Sequence, residues 1–272
     1  MSSSNPRQGS VLHPRGIAVV VESEEDRLVE ESRQLIHLLG DSEENPHHIL
    51  YFGKRGIELK TPEHIHHNGK RVDFSTIDFR TGAGNLSKNQ PLPKAIGEHT
   101  TLVDATAGFG MDAARLAMMG YHVIAIEQSP IISAMLRDGL WRAEQNTEVR
   151  EALGGRLTII ESNSTQHLQN IQCVEVVYID PMFPPKRKKS ALPPGHIQVL
   201  QSVVGYDNPE QTRLLFKVAL TAATRRVVVK RPMHAPPMTT NPIATHNGKL
   251  VRYEVYRPTP HTKREVKNRE QL

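Results

Sequence analysis

Beyond residue 100 the chain alternates short apolar runs with stretches of helical period, and few folds accept that alternation. Leu102-Val103, Val123–Ile126, Leu157–Ile160, Val176–Ile179 and Val227–Val229 are apolar at nearly every position, as strands buried on both faces must be. Helical periods fall between them, over 112–119, 130–145 and 196–204, and again after Pro209 through Leu214, Leu215, Val218 and Ala222. Strands alternating with helices predict an α/β protein with a doubly wound, mainly parallel sheet. Lys249 to Tyr256 reads as a late strand that closes it.

The residues before this region read differently. Ile17 to Val21 is a β-branched run and predicts a strand. Ser23 followed by Glu24, Glu25 and Asp26 predicts a capped helix start, with Leu28, Leu35 and Leu39 on one face and Gly40 as the stop. His48 to Phe52 and Gly56 to Lys60 predict a hairpin, and Arg71 to Phe74 a further strand. Residues 80–93, RTGAGNLSKNQPLP, break the pattern with glycines, prolines and amides, which predicts a loop and a boundary near residue 90. The expected organisation is a small α+β appendage over 1–90, a larger domain over 91–260 and a charged tail over 261–272.

Composition narrows the function classes. No window holds 18 uninterrupted apolar residues and the N-terminus lacks a signal-peptide pattern, so a soluble cytoplasmic protein is expected. The single cysteine, Cys173, has no partner for an internal disulfide, and its place before an apolar strand predicts packing. The tract EHIHH (His64, His66, His67) lacks helical ligand spacing or a cysteine partner, so no metal site is expected. Trp141 lies in a helical stretch and reads as core or interface. A net charge of +5 is informative only where it concentrates, at Lys186-Arg187-Lys188-Lys189 and between Arg225 and Arg231.

Two stretches carry chemistry. The first, TLVDATAGFGMDAA from Thr101 to Ala114, reads as a buried strand, a tight turn on Gly108 and Gly110, and a helix opening on Asp112. Ligands of doubly wound sheets sit at such corners, and Glu127, at the end of the next strand, is placed to grip ribose hydroxyls. The spacing Gly108-x-Gly110-x-x-Ala113 also fits a nicotinamide-dinucleotide fingerprint, which holds a pyrophosphate on the helix N-terminus. Here Asp104 ends the strand and Asp112 opens the helix, which sets carboxylates beside the phosphates. S-adenosylmethionine (SAM) carries an ammonium and a sulfonium instead, so the acids favour the methyl donor.

The second stretch is Asp180-Pro181-Met182-Phe183-Pro184, directly after a buried strand. It resembles the Asp/Asn-Pro-Pro-Tyr/Phe loop of enzymes that methylate amino nitrogens on planar groups. An exocyclic amine is a poor nucleophile because its lone pair is delocalised into the ring. Asp180 is suited to accept its hydrogens and aim that lone pair, prolines stiffen the geometry, and Phe183 is suited to stack on an extruded base. Lys186, Arg187, Lys188 and Lys189 follow as a phosphate clamp, and Lys230 and Arg231, after another strand, extend the basic patch.

Taken with VDATAGFGMDA, Ile126-Glu127, YIDPMFP, KSAL (Lys189 to Leu192), QSVVG and RVVVKRP, the chain resembles the RsmJ family over about residues 99 to 232. The resemblance implies a Rossmann-like, SAM-dependent methyltransferase acting on the N2 amine of one guanine near the 3′ end of small-subunit (16S) ribosomal RNA, free or in the 30S particle. It further implies that Met111 and Asp112 lie on the cofactor, Glu127 and Gln128 at its ribose and adenine, and that Asn163, Ser164 and Asp180 complete that side with Asp104, Gly108 and Gly110. The chain departs from the family pattern at Met111, where members often carry arginine, and at Asn163, where they carry serine. NLSKNQPLP also replaces a basic, glycine-rich segment. Readings that remain open at this point are an amine acceptor on DNA or protein, a nicotinamide-dependent oxidoreductase, and a non-catalytic RNA-binding factor on the same fold.

Overall fold

The computed structural model describes residues 16–40, 46–79, 86–171, 174–181 and 208–259. These fall into two compact units, one over 16–71 and one from Val72 onward.

The first unit contains β1 (Ile17–Val21), α1 (Asp26–Leu39), β2 (His48–Gly53) and β3 (Gly56–Lys60), with the strands in a three-stranded sheet of order β1-β2-β3. The β2–β3 hairpin forms as expected, with Gly53 opposite Gly56 at its tip. Leu28 and Leu35 bury the inner face of α1. Ser23 is not the cap expected of it: Glu25 holds the cap position, and the Ser23 hydroxyl accepts from the Glu25 N–H instead.

No strand forms over Arg71–Phe74. Lys70 bridges to Leu59, and the Asp73 carboxylate then accepts from the Ser75 N–H and hydroxyl, capping a 3-10 turn at Phe74–Thr76. Such a local side-chain bond competes with a strand ladder and here prevails. Val72, Phe74 and Ile77 are buried in the second unit, where the Val72 carbonyl accepts from Arg142. That unit therefore begins ahead of the composition break near residue 90.

The second unit holds a seven-stranded sheet built from β4 (Thr101–Asp104), β5 (His122–Glu127), β6 (Leu157–Glu161), β7 (Val174–Ile179), β8 (Ala223–Pro232), β9 (Ala244–Asn247) and β10 (Val251–Tyr256). Its order is β6-β5-β4-β7-β8-β10-β9. The first five strands in that order are parallel, whereas β10 runs antiparallel to both β8 and β9. A dinucleotide-binding sheet has the order 3-2-1-4-5-6; here a reversed strand is inserted before the last position. The helices are α2 (Pro91–Ile96), α3 (Met111–Met118), α4 (Pro130–Gln145), α5 (Thr147–Leu153), α6 (Ser164–Asn170) and α7 (Pro209–Ala222). The helix expected over 196–204 lies outside the described residues.

Strand alternation sorts the site from the core. Val103, Val177, Ile179, Val227 and Val229 pack on one face against Leu168 of α6 and Leu215, Phe216 and Ala219 of α7. Asp104, Tyr178, Asp180 and Lys230 have the opposite parity and project from the other face, toward α3. The chain leaves β4 toward β5 and β6 and later returns on β4's other side as β7. That reversal opens a crevice at the carboxyl ends of β4 and β7.

Candidate active site

The corner after β4 is held by a small set of bonds. Asp104 is buried, and its carboxylate accepts from the Thr106 N–H at 3.0 Å. The Thr106 hydroxyl in turn accepts from the Asp180 N–H at 2.6 Å, and the Ala105 N–H donates to the Tyr178 carbonyl at 2.9 Å. The Ser164 hydroxyl, at the head of α6, donates to the Ala105 carbonyl at 2.6 Å. The ends of β4 and β7 are thereby locked side by side.

The glycine turn is tied to the neighbouring strand. Glu127 is buried at the end of β5, where its carboxylate accepts from the Gly108 N–H at 3.0 Å and from the Ser129 N–H at 2.7 Å. Gly110 caps α3 with a φ of 69°, and a Cβ there would stand 2.6 Å from Leu136 Cδ2. Only glycine meets both conditions. Next to Glu127, Gln128 Oε1 accepts from Asn163 Nδ2 at 3.4 Å, while Asn163 Oδ1 caps α6 through the Gln166 N–H.

A charged cluster lies between the turn and β8. Lys230 Nζ donates to Asp180 Oδ2 at 2.8 Å and to Asp112 Oδ2 at 3.1 Å, and the Tyr178 hydroxyl donates to the same Asp112 oxygen at 3.0 Å. Arg115 pairs with the other Asp112 oxygen at 3.3 Å. Burial alone would raise the Asp112 carboxyl, but the Lys230 charge and the bonds from Lys230 and Tyr178 outweigh it and hold Asp112 low. Burial would likewise lower Lys230, yet Asp180 and Asp112 carry it above the ordinary lysine range. Asp104 behaves oppositely. Full burial pushes it up to about 8, the Asp112 and Asp180 charges add to the rise, and the Thr106 N–H and Lys230 only partly oppose it.

The structure brings Asp104, Gly108, Gly110, Met111, Asp112, Glu127, Gln128, Asn163, Ser164 and Asp180 to the carboxyl ends of β4, β5, β6 and β7 and the turns that follow them. Phe183, Lys186, Arg187, Lys188 and Lys189, like Cys173, lie outside the described residues. Lys230 and Arg231 do not take the surface position expected of them. The Lys230 ammonium is engaged by two carboxylates, and Arg231 is buried, donating to the Pro236 carbonyl. Strand parity gives the reason: consecutive residues of β8 face opposite sides, and both sides are covered there. Thr106 and Tyr178 were missed. Tyr178 was signalled by its place two residues before Asp180 on the same strand face; Thr106 had no signal beyond lying in the turn.

The donor set suits a cation. Asp104, Asp112, Glu127 and Asp180 gather at the crevice, where Lys230 pairs with Asp112 and Asp180 and Arg115 pairs with Asp112. A diphosphate here would meet carboxylates, whereas a sulfonium and an ammonium would be balanced by them.

Known proteins resemble this chain in sequence and fold. The family described as "Putative SAM-dependent methyltransferase" matches residues 31–258. Ribosomal RNA small subunit methyltransferase J of Hydrogenovibrio crunogenus is 42% identical over 192 residues, covering 66% of this chain and 68% of that protein. The same-named protein of Yersinia enterocolitica is 39% identical over 210 residues, covering 74% and 82%. The chain belongs to the ribosomal RNA small subunit methyltransferase J family. A crystal structure of a SAM-dependent methyltransferase from Neisseria gonorrhoeae, 24% identical, superposes with a TM-score of 0.66 over 90% of this chain and 97% of that one, and shares the fold.

As a methyltransferase J family member, the protein is a SAM-dependent enzyme with a Rossmann-like α/β fold, and the nicotinamide reading falls away. Among the described residues no group of three or more His, Cys, Asp or Glu side chains is placed to hold a metal, and no helix is long and apolar enough to cross a membrane.

Proposed function

We propose that this enzyme transfers a methyl group from SAM to the exocyclic N2 amine of one guanine in small-subunit (16S) ribosomal RNA, in the cytoplasm, by direct in-line displacement. The observation that carries the reading is the bond from the Asp180 N–H to Thr106, which joins the mouth of the Asp-Pro-Met-Phe-Pro loop to the glycine turn. A planar amine held by that loop lies beside whatever the turn cradles. The names of the curated relatives support ribosomal RNA as the acceptor.

When bound, SAM supplies an electrophilic methyl on a cationic sulfur. Asp104, Asp112 and the Gly108–Gly110 backbone would hold its charged end, with Glu127, Gln128 and Asn163 at its nucleoside end and Ser164 fixing the corner between. Asp180 accepts hydrogens of the guanine amine and holds the lone pair outward, and it leaves the proton lost on transfer close to an acceptor. Phe183 stacks on the base, and Lys186 to Lys189 hold phosphates. The amino groups of DNA or protein are the rival acceptors. Tritium transfer from labelled SAM to small-subunit RNA, DNA and protein fractions tests the proposal: label confined to the RNA is expected, and label in either other fraction with none in RNA refutes it.

A further inference from the structure

We propose that Lys230 is a positioning residue that couples the donor side of the site to its acceptor side. The inference rests on the methyl-transfer reading and goes beyond it. One ammonium group reaches Asp112, on the first turn of α3, at 3.1 Å, and Asp180, at the end of β7, at 2.8 Å. Asp112 belongs to the donor cradle and Asp180 to the amine-holding loop. Nothing else described bonds to both.

The arrangement follows from the sheet. Ile179 is paired with Val229, so Asp180 and Lys230 are the next neighbours across the parallel β7–β8 ladder and share a face. Tyr253 of β10 stands opposite Lys230 on the other side. The groups facing the ammonium are thus Asp112 from α3, Asp180 and Tyr178 from β7, and Tyr253 from β10, with Asp104 of β4 and Arg115 farther off. Two carboxylates converge on one cation, and without it they would repel.

Packing alone does not call for a lysine here. An apolar side chain of similar length would fill the space, but it would leave Asp112 and Asp180 without the cation they share. What the ammonium contributes is geometry. It bonds Asp180 Oδ2 and so fixes the plane of the carboxylate that meets the amine. It also pairs with Asp112 and Asp180 at once, so that arrival of a cationic donor at one is felt at the other. With its hydrogens directed at two carboxylates, the group is not a phosphate anchor.

The test compares wild type with Lys230→Met and Lys230→Arg in three measurements: thermal melting, protons released on SAM binding by calorimetry in two buffers, and kcat and KM for small-subunit RNA. Lys230→Met is expected to melt cooperatively and to lose about 100-fold in kcat, the scale of a lost preorganised hydrogen bond, while KM for RNA changes less than about threefold. It should also release more protons on donor binding than wild type, because Asp112, held low by Lys230 against its burial, takes one up once the cation is gone. Lys230→Arg keeps the charge with a planar fork, so wild-type proton release with an intermediate kcat is expected. A Lys230→Met protein with wild-type kcat, or with unchanged proton release, overturns the proposal. If that variant fails to fold, a Lys230→Arg enzyme with wild-type kcat overturns it instead. Absence of transfer to RNA by wild type would sink the proposed function, and the proton count would still decide Lys230.

Discussion

Asp104 makes donor binding depend on pH in a direction the structure sets. Its carboxyl, fully buried and close to Asp112 and Asp180, sits at about 8 instead of the ordinary 3.8. A rise of that size means that ionising Asp104 in the ligand-free protein costs about 6 kcal/mol more than in water. At neutral pH it carries a proton, and a cationic donor arriving beside it favours the charged form. Binding then requires that the proton leave. Affinity for SAM should climb from about pH 6 to about pH 8, approaching tenfold per pH unit, and level off above. Calorimetry in buffers of different ionisation enthalpy should count close to one proton released at about pH 6.5. Asp104→Asn should flatten the slope and abolish the release. The same shift has a stability consequence. A folded value above the unfolded one means that the contribution of Asp104 is full below about pH 4 and is lost as pH rises to about 8, so Asp104→Asn should raise the melting temperature of the ligand-free protein most at about pH 8. Proton-independent, pH-flat SAM binding by the wild type would refute the reasoning.

Asp180→Ala should leave SAM affinity within about threefold, while kcat falls by about 100-fold or more in the tritium-transfer assay. Gly110→Ala should lower stability by about 1–3 kcal/mol in a denaturant melt and weaken donor binding, because the new Cβ meets Leu136 at 2.6 Å in a left-handed turn. Arg252→Ala should cost about 3 kcal/mol by the same measurement, since it takes the paired cation from the buried Glu254 carboxylate, leaving the Met238 N–H and Tyr256 hydroxyl on its other oxygen, and removes the donors to the Pro232, Met233 and Ala235 carbonyls.

Much of the site was legible because its residues sit where strand periods end. Asp104, Glu127 and Asp180 each close an apolar run, and in a parallel sheet such positions meet at the carboxyl ends of the strands. The short elements were harder to read. Helices α2, α5 and α6 and strand β9 span only four to seven residues, too few for a periodic pattern to rise above its flanks. Asn163 capping α6 and Asn146 capping α5 were the available cues.

Local order was therefore in the chain itself: which runs become strands, where the glycine turn bends, and which acids stand at strand ends. The partners of those acids were not. Lys230 reads from sequence as one cation among neighbours in RVVVKRP, and only the β7–β8 register sets it beside Asp180 and beneath Asp112. Asp104 reads as a carboxylate, and only its burial among Asp112, Asp180 and Lys230 makes it a proton carrier near neutral pH. Charge and proton affinity at a buried site depend on what surrounds the group through space, and a linear sequence does not encode those distances one residue at a time.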